Sequence, residues 1–467
     1  MQCQSYRVIP LKDDTYTLTV AAEQVSPQRD AQLGFATNRH INTTIWPSIK
    51  FQQVLSAFLV DKSLTSPSAA QLDRDENTVI NLINQVLCSA LKQKASDIHF
   101  EPYDHQYRIR YRIDGVLHIM THPDYRQSAQ ITTRLKIMAK LDIAERRLPQ
   151  DGQLVFDYED QPIVMRTSTI PVHYGEKIVL RIVQQNSQQT RLEHLGMNES
   201  ALDCYQKTLQ APQGLILVCG PTGSGKTMTL YGGLHELNHP QRNICTVEDP
   251  IELYLPGINQ TPIQSKSGIT FTQILRAFLR QDPDVIMIGE IRDKETAQIA
   301  MQAAHTGHLV LSTLHTNSSC EAVLRLNQMG IANYLLASGL KLVIAQRLVR
   351  LLCQYCKKVA LTPLKIYRQT AWEEIAHFEA QGCEHCVGGY YGRTGIYELL
   401  TISPAIQQLL FTPSATSIES LKKQAAQQGM TSLYQSGINL VKTGLISFAE
   451  LARVINIFDE EELPHEA

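Results

Sequence analysis

Between Tyr107 and Gly115 the chain reads YRIRYRIDG, and apolar positions alternate with charged ones without a slip. Tyr107, Ile109, Tyr111 and Ile113 form one set, and Arg108, Arg110, Arg112 and Asp114 the other. That period predicts a β-strand with one buried face and one open, cationic face. Upstream, VINLINQVLCSALKQKA carries apolar residues at Val79, Leu82, Ile83, Val86, Leu87 and Leu91, the spacing of an amphipathic helix with its cap expected at Asp75, Asn77 or Thr78. A second helix is expected near ITTRLKIMAKLDIA, and further strands in SDIHFEP, QLVFDYED and PIVMRTSTIPVHYGEKIVLRIV. Together these predict an α+β domain over 79–183.

The polar run QQNSQQT (184–190) reads as a linker, and the rhythm changes beyond it. GLILVCG, NICTVED, DVIMIGE and HLVLSTLH are short apolar runs separated by helical patterns, which predicts a mostly parallel sheet covered on both faces over 191–350. Paired cysteines mark 351–398, and 399–467 reads as helical. At the other end, residues 1–62 are weakly patterned apart from FQQVLSAFLV, and 63–78, polar and serine-containing, reads as a linker. No internal repeat is visible.

Composition changes this picture little. The 467 residues carry a net charge of −2, so no global field draws the chain to nucleic acid or anionic lipid. No leader pattern and no run of 18 apolar residues is seen, so a cytosolic protein is expected, reaching a membrane only through a partner. Ten cysteines are then expected as thiols or metal ligands rather than disulfides.

The chemistry enters at GPTGSGKT. Gly220, Pro221, Thr222, Gly223, Ser224, Gly225, Lys226 and Thr227 satisfy the phosphate-loop pattern in full, with an apolar strand before it and a helix after it. Backbone N–H groups would wrap the phosphates of a nucleoside triphosphate, Lys226 would reach the β- and γ-phosphates, and Thr227 would hold Mg²⁺. Two acidic strand ends follow: Glu248, Asp249 and Glu252 in ICTVEDPIE, and Glu290 in DPDVIMIGEIRD, with Asp282, Asp284 and Asp293 nearby. Carboxylates at the C-terminal ends of parallel strands converge on the ligand crevice, where one can polarise water and another organise Mg²⁺. His308 and His315 flank the next apolar run.

Cys353 and Cys356 in CQYC, then Cys383 and Cys386 in CEHC, give two C-x₂-C pairs. The pattern matches a four-thiolate structural zinc site, with a metal-free thiol cluster or a redox pair as the alternatives.

The ordered set SDIHFEP, RIRYRIDG, RLPQDG, GPTGSGKT, VEDPIE, LRQDPDVIMIGEIRD, GHLVLSTLHTN and CQYC…CEHC resembles the secretion ATPase superfamily, more narrowly the motors of bacterial type II secretion and type IV pilus assembly. The resemblance implies a RecA-like phosphate-loop core preceded by a PAS-like α+β domain, with a tetracysteine zinc insertion and a helical C-terminal segment. It implies Glu248 as catalytic base, Glu290 at the Mg²⁺ site, His315 as the functional histidine, and Arg110 and Arg112 acting on the triphosphate, with a weaker correspondence for Arg126. It further implies ATP, Mg²⁺ and structural Zn²⁺, a homo-hexamer, and an inner-membrane platform protein as partner, with no direct contact to nucleic acid. The expected activity is ATP hydrolysis driving pilin polymerisation. Type II secretion, pilus retraction and a non-hydrolysing nucleotide-gated scaffold stand as alternatives.

Overall fold

The computed structural model describes residues 8–13, 17–37, 39–47, 51, 69–183, 191–263, 268–368, 371–412 and 417–455. The expected linker at 184–190 and all of FQQVLSAFLV beyond Phe51 lie outside them. The described chain divides into two compact units, with the boundary between Leu82 and Ile83.

In the first unit, β1 (Ile9–Asp13) pairs antiparallel with β2 (Thr17–Ala22), and β2 pairs parallel with β3 (His40–Ile45). The crossover between β2 and β3 is a helix, Pro27–Thr37, whose Leu33 packs with Val8, Leu18, Val20 and Ala22. The weak pattern of this stretch therefore hid a small βαβ unit. The helix that follows runs Ala69–Lys92, so residues 69–78 are helical rather than linker, and its start lies upstream of the expected cap. AAQLDR has good helix formers at most positions, which lets the helix propagate past Thr78.

The second unit contains a six-stranded antiparallel sheet in the order β6-β5-β4-β9-β8-β7. Its strands are β4 (Asp97–Tyr103), β5 (Gln106–Ile113), β6 (Val116–Thr121), β7 (Gln150–Tyr158), β8 (Gln161–Val172) and β9 (Gly175–Ile182). Asp114 and Gly115, both at positive φ, form the tight two-residue turn between β5 and β6. The alternation in YRIRYRIDG is realised: Tyr107, Ile109, Tyr111 and Ile113 are buried, each large side chain worth roughly 1.5–3 kcal/mol. Tyr111 donates to Val86 O at 2.7 Å, and helix Ser128–Met138 supplies buried Ile131 and Leu135.

The core sheet has seven strands in the order β12-β11-β13-β14-β10-β15-β20. β10 (Gly214–Cys219), β11 (Ile244–Glu248), β12 (Asn259–Pro262), β13 (Val285–Ile288), β14 (Leu309–Leu314) and β15 (Leu340–Leu352) are parallel to their neighbours, and β20 (Tyr390–Thr401) is antiparallel to β15. Apolar clusters fill both faces, as continuous apolar strands demand. The cysteine region is an excursion between β15 and β20, holding the short pairs β16 (Lys358–Val359) with β19 (Phe378–Glu379) and β17 (Leu364–Arg368) with β18 (Ala371–Ile375). Both ends of the 351–398 stretch thus belong to core strands. Among the described residues beyond β20 there are four helices, Pro404–Phe411, Ile418–Gln427, Leu433–Lys442 and Phe448–Val454. Ser403, Ser417, Ser432 and Ser447 cap them, each accepting a first-turn backbone N–H. Among the described residues no helix is long and apolar enough to cross a membrane.

Candidate nucleotide site

The phosphate loop leaves the C-terminal end of β10 and enters helix Lys226–Leu237. Its turn needs glycine: Gly223 and Gly225 have φ of 79° and 89°, and a Cβ on Gly220 would lie 2.6 Å from both Gln346 O and Ser224 Oγ. Lys226 is buried and donates to Gly220 O at 2.9 Å and Pro221 O at 3.0 Å. Burial lowers its pKa, the Glu290 charge opposing. Ser224 Oγ is buried without a hydrogen-bond partner, which leaves a donor inside the cradle for a phosphate oxygen.

Glu248 ends β11 and is buried. Its carboxylate accepts from Tyr231 Oη, from Thr246 Oγ1 at 2.6 Å and from Gln260 Nε2 at 3.1 Å. Glu290 follows β13 and His315 follows β14. Glu290 accepts from Arg292, and His315 Nε2 stands 3.4 Å from Glu290 Oε2. Thus Lys226, Thr227, Glu248, Glu290 and His315 all come from the C-terminal ends of neighbouring parallel strands, where ligands bind in open α/β sheets.

Other candidates fall elsewhere. Asp284 precedes β13 and accepts from Asn243 N at 2.7 Å, so it sits at the opposite edge of the sheet from Glu290. Asp293 caps helix Lys294–His305 through Thr296 N at 2.8 Å. His308 precedes β14 and bonds Ala303 O at 3.0 Å, a structural contact at a helix end.

Arg110 and Arg112 lie on the open face of the antiparallel sheet, beside carboxylates of β4, and Arg112 Nη1 also donates to Gly115 O at 2.9 Å. Arg110 makes a bidentate pair with Glu101, both contacts 2.8 Å, and Arg112 Nε lies 3.6 Å from Asp97. Glu101 also accepts from Arg108 at 2.8 Å and Lys177 at 2.9 Å. Arg126 lines a cavity of about 420 Å³ with Lys136, Arg146, Tyr125 and Tyr174. Sequence reasoning missed Gln346, whose side chain accepts from Thr229 Oγ1 at 2.7 Å and donates to Ser224 O at 2.8 Å beneath the phosphate loop. It lies in β15 beside Arg347, in a strand that also carries Lys341 and Arg350, so no local pattern singled it out.

The four cysteines converge. Their sulfurs all lie within 4.8 Å of one another, with Cys353–Cys383 at 3.8 Å, Cys356–Cys386 at 3.7 Å and Cys383–Cys386 at 3.6 Å. Four thiolates about 2.3 Å from a tetrahedral zinc are about 3.8 Å apart, so the donor set fits that ion without rearrangement.

A glycine-rich phosphate cradle on a parallel sheet, faced by two acidic strand ends, defines a phosphate-loop ATPase of RecA-like fold. More particularly, the chain belongs to the family described as Type II/IV secretion system protein, which matches residues 72–453. It is 48% identical over 425 residues to the Protein transport protein HofB homolog of Escherichia coli, covering 91% of this chain and 90% of that one. It is 46% identical to the type IV pilus assembly ATPase PilB of Pseudomonas aeruginosa, covering 84% and 70%, and 45% identical to the type II secretion system ATPase E of Vibrio cholerae, covering 81% and 76%. Among solved structures, the pilus retraction motor PilT with bound ADP aligns over 81% of this chain and 98% of that one, at 25% identity and a TM-score of 0.54. The Legionella pneumophila ATPase DotB shares the fold at 20% identity, over 80% and 95% of the two chains, with a TM-score of 0.59.

Proposed function

We propose that this protein is a cytoplasmic ATPase motor, working as a ring of six at the inner membrane, that hydrolyses ATP to power type IV pilus assembly. The observation that carries the reading is the complete phosphate loop set against Glu248 and Glu290 on one sheet edge, in a chain akin to pilus and secretion ATPases.

Lys226 and the loop N–H groups bind the triphosphate; Thr227 and Glu290 would hold Mg²⁺, which would supply charge neutralisation there. Glu248 orients the attacking water, and His315 senses the γ-phosphate through Glu290. Arg110 and Arg112 reach the nucleotide when the N-terminal domain closes on a core, exchanging their carboxylate partners for phosphate. The four cysteines would hold zinc, which would tie down the excursion between β15 and β20, and closure moves an inner-membrane platform protein. Type II secretion is the second reading, because relatives from both machines are 45–46% identical.

The test is turnover by the purified full-length chain with ATP and Mg²⁺. Lys226→Ala should abolish nucleotide binding, while Glu248→Gln should keep binding and lose hydrolysis by on the order of 10²-fold or more. Binding without phosphate release in the unaltered protein would establish a nucleotide-gated scaffold instead. Gene deletion that removes surface pili but leaves protein secretion intact assigns the cargo.

A further inference from the structure

The buried Glu248 carboxylate is reached from the N-terminal domain through a short chain of contacts that none of the motifs announces. Arg166 on β8 donates from Nη2 to Ile251 O at 3.0 Å, and its Nη1 stands 3.8 Å from Glu252 Oε2. Two residues link that backbone to Glu248 along the chain, and a second link runs through Tyr231. Its hydroxyl accepts from Glu252 N at 3.3 Å and donates to Glu248 Oε2. Tyr231 is fully buried, and burial together with the Glu248 charge raises its pKa, so it stays protonated and is a donor to the carboxylate.

Tyr231 has little freedom of its own. It sits on helix Lys226–Leu237, which begins with the phosphate-loop lysine and is pinned by Tyr205 Oη to Thr229 O at 3.1 Å and by Thr229 to Gln346. The movable end is therefore 249–252, whose Asp249 and Glu252 are exposed. An exposed ion pair such as Arg166–Glu252 adds little stability, with a median of about 0–1 kcal/mol. What Arg166 contributes is a fixed position for the Ile251 carbonyl, hence for the Glu252 N–H on Tyr231. A carboxylate offers about four acceptor sites, and Tyr231, Thr246 and Gln260 occupy three, so the direction of the free one depends on those donors.

We infer that Arg166 and Tyr231 are positioning residues that couple the seating of the N-terminal domain on 249–252 to the orientation of Glu248. The inference rests on the reading of Glu248 as the group that orients water. Domain closure and water positioning then become one event, and a displaced domain leaves ATP bound on a misaligned carboxylate.

The experiment compares steady-state ATP hydrolysis by the full chain with binding of a fluorescent non-hydrolysable ATP analogue. Tyr231→Phe, which removes one oxygen, should lower kcat on the order of tenfold while KM and analogue affinity stay within about twofold. Arg166→Ala should lower kcat with the same signature, Arg166→Lys should recover part of it, and the double variant should be no slower than Tyr231→Phe alone. Glu248→Gln separates the two claims. If it is inactive and Tyr231→Phe turns over normally, the coupling is wrong and the reading of Glu248 stands. If Glu248→Gln keeps full turnover, that reading falls. Losses from Arg166→Ala and Tyr231→Phe that multiply would also overturn the coupling. Should Tyr231→Phe melt early, the Arg166 pair, on a half-exposed side chain, decides alone.

Discussion

Glu101 is a buried carboxylate serving three cations, and replacing it with glutamine tests the charge economy of the whole arginine face. Glu101→Gln keeps the shape and removes the charge, leaving Arg108, Arg110 and Lys177, only 21–30% exposed, with no anion in common. Burial alone would push the Glu101 carboxyl up, but hydrogen bonds from Arg110, Arg108 and Lys177 outweigh it and hold it at about 2, against an ordinary 4.5. That interval is equivalent to roughly 3 kcal/mol. Breaking one side of a buried pair costs about 3–5 kcal/mol, so two independent routes agree. The folded value is depressed, so this stability is fully present above about 4.5 and lost as pH falls toward 2. Denaturant unfolding of the full chain, with hydrogen exchange on β4, β5 and β9, should show the variant about 3 kcal/mol weaker at pH 7 and the deficit more than halved at pH 3. A deficit below about 1 kcal/mol at pH 7, or one as large at pH 3, would refute the reasoning.

Three further outcomes are expected. Cys383→Ser should lower bound zinc from about one ion per chain toward none by elemental analysis, with an earlier melt and analogue affinity within about twofold. Gly437→Ala places a Cβ 2.1 Å from Leu451 Cδ1 and should cost about 1–3 kcal/mol in denaturant unfolding, with much of the loss recovered when Leu451→Val accompanies it. Gln346→Leu should weaken analogue binding several-fold, because Ser224 O and Thr229 Oγ1 lose a shared partner beneath the phosphate loop.

The alternation of Tyr107–Ile113, the apolar runs of β10, β11, β13 and β14, and the phosphate loop were all legible along the chain, because each is a local rule of period or turn chemistry. The pairs of cysteines were legible for the same reason: two knuckles state their ligand count in sequence. The first unit was not, since its strands are short and its core is a handful of residues. The start of helix Ala69–Lys92 is hidden by a polar composition that resembles a linker, although most of its first residues are good helix formers.

What the sequence by itself determined is the kit: a nucleotide cradle, two acidic strand ends and four thiolates, each fixed by neighbours a few residues away. Only the tertiary structure decided which members work together. It separated Glu290 with His315 from Asp284 and His308, because strand direction sends residues at opposite ends of one strand to opposite edges of the sheet, and it committed Asp293 to capping helix Lys294–His305. It also gave Arg110 and Arg112 carboxylate partners on β4 and brought Arg166 to the Ile251 carbonyl across 85 residues of chain. Contacts at such separations depend on strand order and domain seating, which no local pattern encodes.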